Sequence, residues 1–166
     1  MAYNINKNNR KNIRLKNYDY QQNGLYFVTI CIQNREHLLG EISNKGYFIY
    51  DAGIMVQSVW NNLPKYYKGI NVHDFVVMPN HIHGIIELKN SDLNLSEIIR
   101  RFKTFTTYQY IDGVHHKNWQ LFYKKLWQRN YYEHVIRNDE SLEKLQQYIL
   151  NNPMQWQDDI FCLDLG

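Results

Sequence analysis

The spacing of hydrophobic residues changes along the chain, and each change marks an element. Leu25 to Ile32 (LYFVTICI) is a nearly unbroken apolar, β-branched and aromatic run, the composition of a buried central strand. GEISNKGYFIY sets an Asn-Lys-Gly turn between two short extended pieces, which predicts a hairpin over about 40–50. From Asp51, expected as a helix cap, Ile54, Val56, Val59, Trp60 and Leu63 recur at roughly helical spacing until Pro64, expected to stop the helix. Val72 to Met78 predicts a strand, Pro79-Asn80 a turn, and His81 to Leu88 the returning strand. Ser91 or Asn94 can cap a helix with Leu95, Ile98, Ile99 and Phe102 on one face. Arg100, Arg101 and Lys103 fall largely off that face, and the helix is expected to run to about Tyr110. A short strand is expected near Leu126 to Val135. The last helix is capped by Asn138, has Asp139 and Glu140 at the positive end of its dipole, presents Leu142, Leu145 and Ile149, and ends at Pro153.

Strand, helix, strand, strand, helix, strand is the split βαβ order. It predicts an α+β, ferredoxin-like domain: an antiparallel sheet with helices on one face, plus a C-terminal helix. A chain of 166 residues, 44% hydrophobic and 15% aromatic, holds enough apolar material for one such core. The domain is expected over 20–157, after a flexible basic arm at 1–19 and before a tail at 158–166.

Charge sharpens this division. The net charge is +3, yet Lys7, Arg10, Lys11, Arg14 and Lys16 all lie in the arm, which leaves the body close to neutral. That balance excludes a protein that coats nucleic acid by bulk charge and leaves room for a local cationic groove. Cys31 and Cys162 are far apart and no Cys-x-x-Cys pair occurs, so neither a disulfide framework nor a thiolate zinc site is supported. No stretch is long and apolar enough to span a bilayer, and a cytoplasmic protein is expected.

Three clusters can carry chemistry. In His81-Ile82-His83 the two histidines are i and i+2 on a strand, so their rings share a face about 7 Å apart at Cα and can converge on one ion. With seven histidines in 166 residues such a pair is ordinary, and alone it carries little. On the last helix Tyr148 and Asn152 are i and i+4, so a phenol and an amide can point together toward the sheet. The segment GVHHKNWQLFYKKLWQR interleaves Lys117, Lys124, Lys125 and Arg129 with Trp119, Phe122, Tyr123 and Trp127. Cations beside aromatic faces are what a single-strand groove requires. Glu133 and His134 are secondary candidates. His37, His73, His115 and His116 are read as core or surface residues.

Taken in order, GLYFVTICIQNREHLLGEI, FVVMPNHIHGIIEL, LSEIIRRFKTF, WQRNYYEHVIRNDE and YILNNP resemble the single-tyrosine HUH transposases of insertion sequences. The match is closest to the REP-associated tyrosine transposases and covers about residues 13 to 157. MPNHIHG followed by a helix ending Tyr-x-x-x-Asn-Pro is far more specific than either motif alone.

The resemblance implies that His81 and His83 are metal ligands, that Tyr148 is the nucleophile, and that Asn152 is the third ligand, with Asn151 one position away. It implies a metal-dependent endonuclease and strand transferase acting on hairpin-bearing single-stranded DNA through a 5′-phosphotyrosine. Two imidazoles and an amide oxygen suit Mg2+ or Mn2+ at an open site. A phenol of pKa about 10 costs about 4 kcal/mol to ionise at pH 7, so the site must help by cationic neighbours or by a base, with His134 or water as that base and Glu133 nearby. Lys11 and Arg14 of the arm, Arg100, Arg101 and Lys103, and the basic-aromatic segment would hold DNA. A binding-only protein of the same fold is the alternative. A zinc hydrolase is disfavoured because Glu87 lies on the histidines' own strand. A monomer is expected.

Overall fold

The computed structural model describes residues 23–158. The arm, with Lys11 and Arg14, and the tail from residue 159 lie outside them. The elements follow in the order β1 (Gly24–Cys31), β2 (Gly40–Ser43), β3 (Gly46–Ile49), α1 (Asp51–Tyr66), β4 (Ile70–Met78), β5 (His81–Leu88), α2 (Leu95–His116), β6 (Tyr132–Ile136) and α3 (Asp139–Asn151). A 3-10 segment, Asn152–Asp158, continues from α3.

Four strands form one sheet in the order β4-β5-β1-β6, every pairing antiparallel, and β2-β3 forms a separate hairpin. This is the split βαβ topology expected from the element order. Side chains alternate faces along each strand, so each strand feeds two cores. Tyr26, Val28 and Ile30 of β1 and Ile82, Ile86 and Leu88 of β5 pack with Val56, Trp60 and Leu63 of α1 and Ile98, Ile99 and Phe102 of α2. On the opposite face Phe27, Val76, Met78, Ile85 and Ile136 pack with Ile149 of α3 and with Trp156.

Several boundaries differ from expectation for local reasons. The N-cap of α1 is Tyr50, without a side-chain bond, and Asp51 is the first helical residue. Pro64 lies inside the last turn; it removes one backbone donor there, while Tyr67 N–H still closes the turn on the Leu63 carbonyl at 3.0 Å. Ile54 is 54% exposed, since it sits two residues, about 200°, around from the buried Ala52. Asn94, not Ser91, caps α2 by accepting from Glu97 N–H at 2.9 Å. The helix then continues six residues past Tyr110, to His116. Gly113 lies within this continuation and serves as a contact: a Cβ there would lie 2.1 Å from the Trp119 ring. The expected strand near 126–135 is a single bridge, Ile32 to Trp127, followed by β6.

Gly84 fixes how closely the helices approach the sheet. A Cβ at this β5 position would lie 2.6 Å from Cζ2 of Trp60 and 2.9 Å from Phe75. Trp60 is fully buried and stacks on Phe75 with ring centroids 4.9 Å apart. Gly84→Ala is therefore expected to destabilise the protein by about 1–3 kcal/mol through overpacking. Urea unfolding monitored by tryptophan fluorescence measures this, and an unchanged midpoint would show that Trp60 can yield.

Candidate active site

The site begins with strand register. Thr29 of β1 lies opposite His83 of β5, and Cys31 opposite His81. Alternation sends His81 and His83 to the α3 face and Ile82 into the opposite core. Both histidines are fully buried. Their Nε2 atoms approach to 3.0 Å.

Each outer ring nitrogen is held by a neighbour. His81 Nδ1 donates to Asn80 Oδ1 at 2.7 Å, so its proton sits on Nδ1 and the Nε2 lone pair faces inward. His83 Nδ1 lies 2.7 Å from Thr29 Oγ1. Asn80 is itself fixed: its carbonyl accepts from Ile32 N–H at 2.8 Å and its side-chain amide donates to the Arg35 carbonyl at 3.4 Å. Phe27 stacks on His83 with ring centroids 5.3 Å apart. Trp156 lies nearly parallel to His81 at 6.1 Å and meets His37 edge-on at 5.6 Å.

The last helix brings the phenol. Asn138 caps α3 by accepting from Ser141 N–H at 2.8 Å, and the helix lays Leu142, Leu145, Tyr148 and Ile149 against the sheet. Tyr148 Oη is 3.5 Å from His83 Nε2, and its ring meets Phe27 edge-on. One turn on, Asn152 is fully buried, and neither its Oδ1 nor its Nδ2 has a hydrogen-bond partner among the described residues. Asn151 is exposed.

This donor set fits a divalent ion. Two ring nitrogens 3.0 Å apart need either one shared proton or a cation between their lone pairs. Adjacent ligands of an octahedral ion, each about 2.1 Å from it, are also about 3 Å apart. No three His, Cys, Asp or Glu side chains gather at one point among the described residues, so a third side-chain ligand has to be of another type. The orphaned Asn152 amide is of that type.

The remaining candidates are not gathered here. His134, exposed, faces the site from β6 opposite Phe27. Glu133 is a correction: it lies opposite Val28, so alternation turns it to the α1/α2 side, away from the imidazoles. Trp127 is another correction, because it is 5% exposed, belongs to the α1/α2 core and donates from Nε1 to Thr106 Oγ1 at 2.8 Å, leaving no face for a base. Lys103 turns inward: its ammonium donates to the carbonyls of Gln128, Arg129 and Asn130 at 2.9, 3.2 and 3.4 Å. Burial lowers its pKa to about 8. Arg100, Arg101, Lys117, Lys124, Lys125 and Arg129 are exposed on α2 or the segment after it, with Arg101 over the Tyr67 ring and Lys117 over half-buried Trp119.

Thr29, Asn80 and Trp156 also belong to the site, and the sequence pattern does not single them out. Asn80 carries a signal, standing directly before His-x-His, but it also fits a turn. Thr29 is the one aliphatic hydroxyl inside an apolar and aromatic run.

The family model described as "Transposase IS200 like" matches residues 20–152. A putative REP-associated tyrosine transposase of Haemophilus influenzae is 31% identical, over 85% of this chain and 77% of its own. An uncharacterized protein of the same organism is 37% identical over 98% of each chain. A REP-associated tyrosine transposase solved bound to a REP hairpin shares the fold, with a TM-score of 0.63 at 22% identity over 86% of this chain and 73% of that one. The chain belongs to the IS200-like transposase family, in its REP-associated tyrosine branch.

Asn80 and Asn152 should respond oppositely to truncation. Asn80→Ala removes the acceptor of a buried imidazole donor and should cost about 1–3 kcal/mol. Asn152→Leu replaces an unpaired buried amide and should leave the ion-free protein as stable, or up to about 2 kcal/mol more stable. Urea unfolding in EDTA compares them; equal losses would show that Asn152 has partners of its own.

Proposed function

We propose that the protein is a metal-dependent endonuclease and strand transferase for hairpin-bearing single-stranded DNA, with Tyr148 as nucleophile. The observation that carries this reading is the Tyr148 hydroxyl 3.5 Å from His83 Nε2, beside a second imidazole nitrogen and an unpaired buried amide. The REP hairpin bound by the structural relative supports DNA of that form as substrate.

Mg2+ or Mn2+, held by His81, His83 and Asn152, would polarise the scissile phosphate and offset its growing charge. Asn80 and Thr29 hold the imidazoles so that Nε2 is the atom presented. Tyr148 Oη attacks phosphorus, its proton passing to His134 or to water, and the bond from phosphorus to the 3′-oxygen breaks. That oxygen leaves as a 3′-hydroxyl after taking a proton, and the 5′-phosphate stays on the tyrosine. An incoming 3′-hydroxyl reverses the step and reseals a strand, with no nucleotide consumed. The chemistry is intramolecular to one chain, since both imidazoles, the amide and the phenol meet without a second copy; this favours a monomer.

Incubation with labelled hairpin oligonucleotides and Mg2+ or Mn2+ should give a denaturation-resistant protein–DNA adduct. Tyr148→Phe should abolish it, His81→Ala or His83→Ala should reduce it about 100-fold, and EDTA should suppress it until Mn2+ is restored. Tyr132, 44% exposed on the same sheet face, is the rival phenol. An adduct that survives Tyr148→Phe and is absent in Tyr132→Phe would overturn the assignment. Hairpin binding without an adduct on any substrate would leave a binding-only protein.

A further inference from the structure

The helix that carries Tyr148 is lightly held. α1 and α2 pack on the other face of the sheet, and α3 lies on the site face with Ile149 as its one buried residue. Leu142, Leu145 and Tyr148 are half-buried against the sheet, and the outer side of the helix is in solvent, where Lys144 pairs with Glu140 at 2.7 Å. Apolar contact of this kind has no direction. It holds α3 down on the sheet and leaves its rotation about its own axis weakly defined. At the outer radius of a helix a roll of about 10° amounts to about 1 Å. A misplacement of that size at a reacting group costs about 100-fold in rate.

One polar contact of α3 with the sheet does have direction. Gln146, two residues before Tyr148, donates from Nε2 to Asp74 Oδ2 of β4 at 2.7 Å, with both side chains half-buried. An amide donating to a carboxylate is among the stronger hydrogen bonds. Asp74 reaches the helix because β4 is irregular at that point. Val72 lies opposite Ile86 and Phe75 opposite Gly84, so His73 and Asp74 together face Ile85 of the site-side core. Without that extra residue the register would set Asp74 opposite Gly84, in the place where Phe75 stacks on Trp60. The bulge keeps a carboxylate out of the α1/α2 core and turns it toward α3. His73, at the same step, is engaged by Glu87 Oε2 at 3.2 Å.

We infer that Asp74 and Gln146 form a latch that fixes the roll of α3, and that both are positioning residues acting on the phenol through the helix. The inference rests on the proposed role of Tyr148 as nucleophile and adds how that phenol is aimed at His83. Two residues apart, Gln146 and Tyr148 stand about 200° from each other around the helix, so they lean to opposite flanks. Gln146 goes to edge strand β4, and Tyr148 goes to Phe27 of β1 and His83 of β5. Fixing one flank fixes the other. Asn152 follows one turn after Tyr148 on the same helix, so a single bond sets the place of two site groups.

The test uses the full chain, a labelled hairpin oligonucleotide and Mn2+. It reads the single-turnover rate of adduct formation, hairpin affinity by anisotropy in EDTA, and hydrogen exchange of the α3 amides without DNA. Gln146→Ala and Asp74→Ala should each slow adduct formation about 10-fold, change affinity by less than about twofold, and speed exchange over 142–149 several-fold. The double alanine variant should be no slower than either single one, since both break the same bond. Gln146→Glu sets two acids against each other and should be slower still. Asp74→Asn/Gln146→Glu exchanges donor and acceptor and should recover most of the rate and of the protection. A reversed pair no better than Gln146→Glu alone, or alanine effects that simply multiply, overturns the latch. A loss of rate matched by an equal loss of affinity overturns the positioning role. No adduct from the wild type, with the exchange pattern as described, keeps the latch and sinks the Tyr148 chemistry instead.

Discussion

The arrangement depends on the register between β1 and β5. With Thr29 opposite His83 and Cys31 opposite His81, both imidazoles stand on one face of the sheet and Ile82 is buried on the other. A slip of one residue would put both rings into the α1/α2 core and Ile82 beside Tyr148. The apolar residues on both faces oppose that slip. Tyr26, Val28 and Ile30 are committed to one core and Phe27 to the other, so hydrophobic burial on both sides of β1 holds the polar pair in place. Gly84, directly after the pair, lets Trp60 close on the sheet and stiffens the strand from behind.

What the sequence made legible follows from which signals are local. The central strands, the hairpin, the caps at Asn94 and Asn138, and the spacing of His81 to His83 and Tyr148 to Asn152 are properties of short windows, and the structure contains each of them. Thr29 was not legible, because its role comes from a partner 54 residues away and a hydroxyl in an apolar run gives no sign of it. Glu133 takes its face from its pairing with Val28 of β1, more than a hundred residues away in the chain, a register that no short window of sequence reveals. Trp127 and Gly113 mislead for one reason. Each takes its meaning from a contact, Trp127 with Thr106 and Gly113 with Trp119, and composition assigns them to a groove and a loop.

The two faces also separate two energetic problems. On the helix side the exposed cations are cheap to hold in water and expensive to crowd, and half-buried Lys103 turns its ammonium to three carbonyl oxygens. On the α3 side the polar groups are buried and few, and almost all are matched: His81 with Asn80, His83 with Thr29. Binding by long-range charge and chemistry by short-range geometry make opposite demands on the dielectric, the first needing solvent-exposed reach and the second a dry, fixed pocket. A single-layer sheet keeps these two environments apart within one small domain.

Within the dry pocket Asn152 is the exception that gives the pocket its direction. A buried amide whose polar atoms are both unmatched among the described residues costs stability that an apolar side chain of similar size would not. The backbone does not need the amide, since α3 ends in a 3-10 turn closed by backbone N–H of Asn152 on the Ile149 carbonyl whatever the side chain is. In the proposed function this side chain meets an ion that brings the charge its oxygen can accept. The same holds for two imidazole nitrogens kept 3.0 Å apart. Neither feature adds to stability, and their coincidence beside one phenol is what the proposed chemistry accounts for.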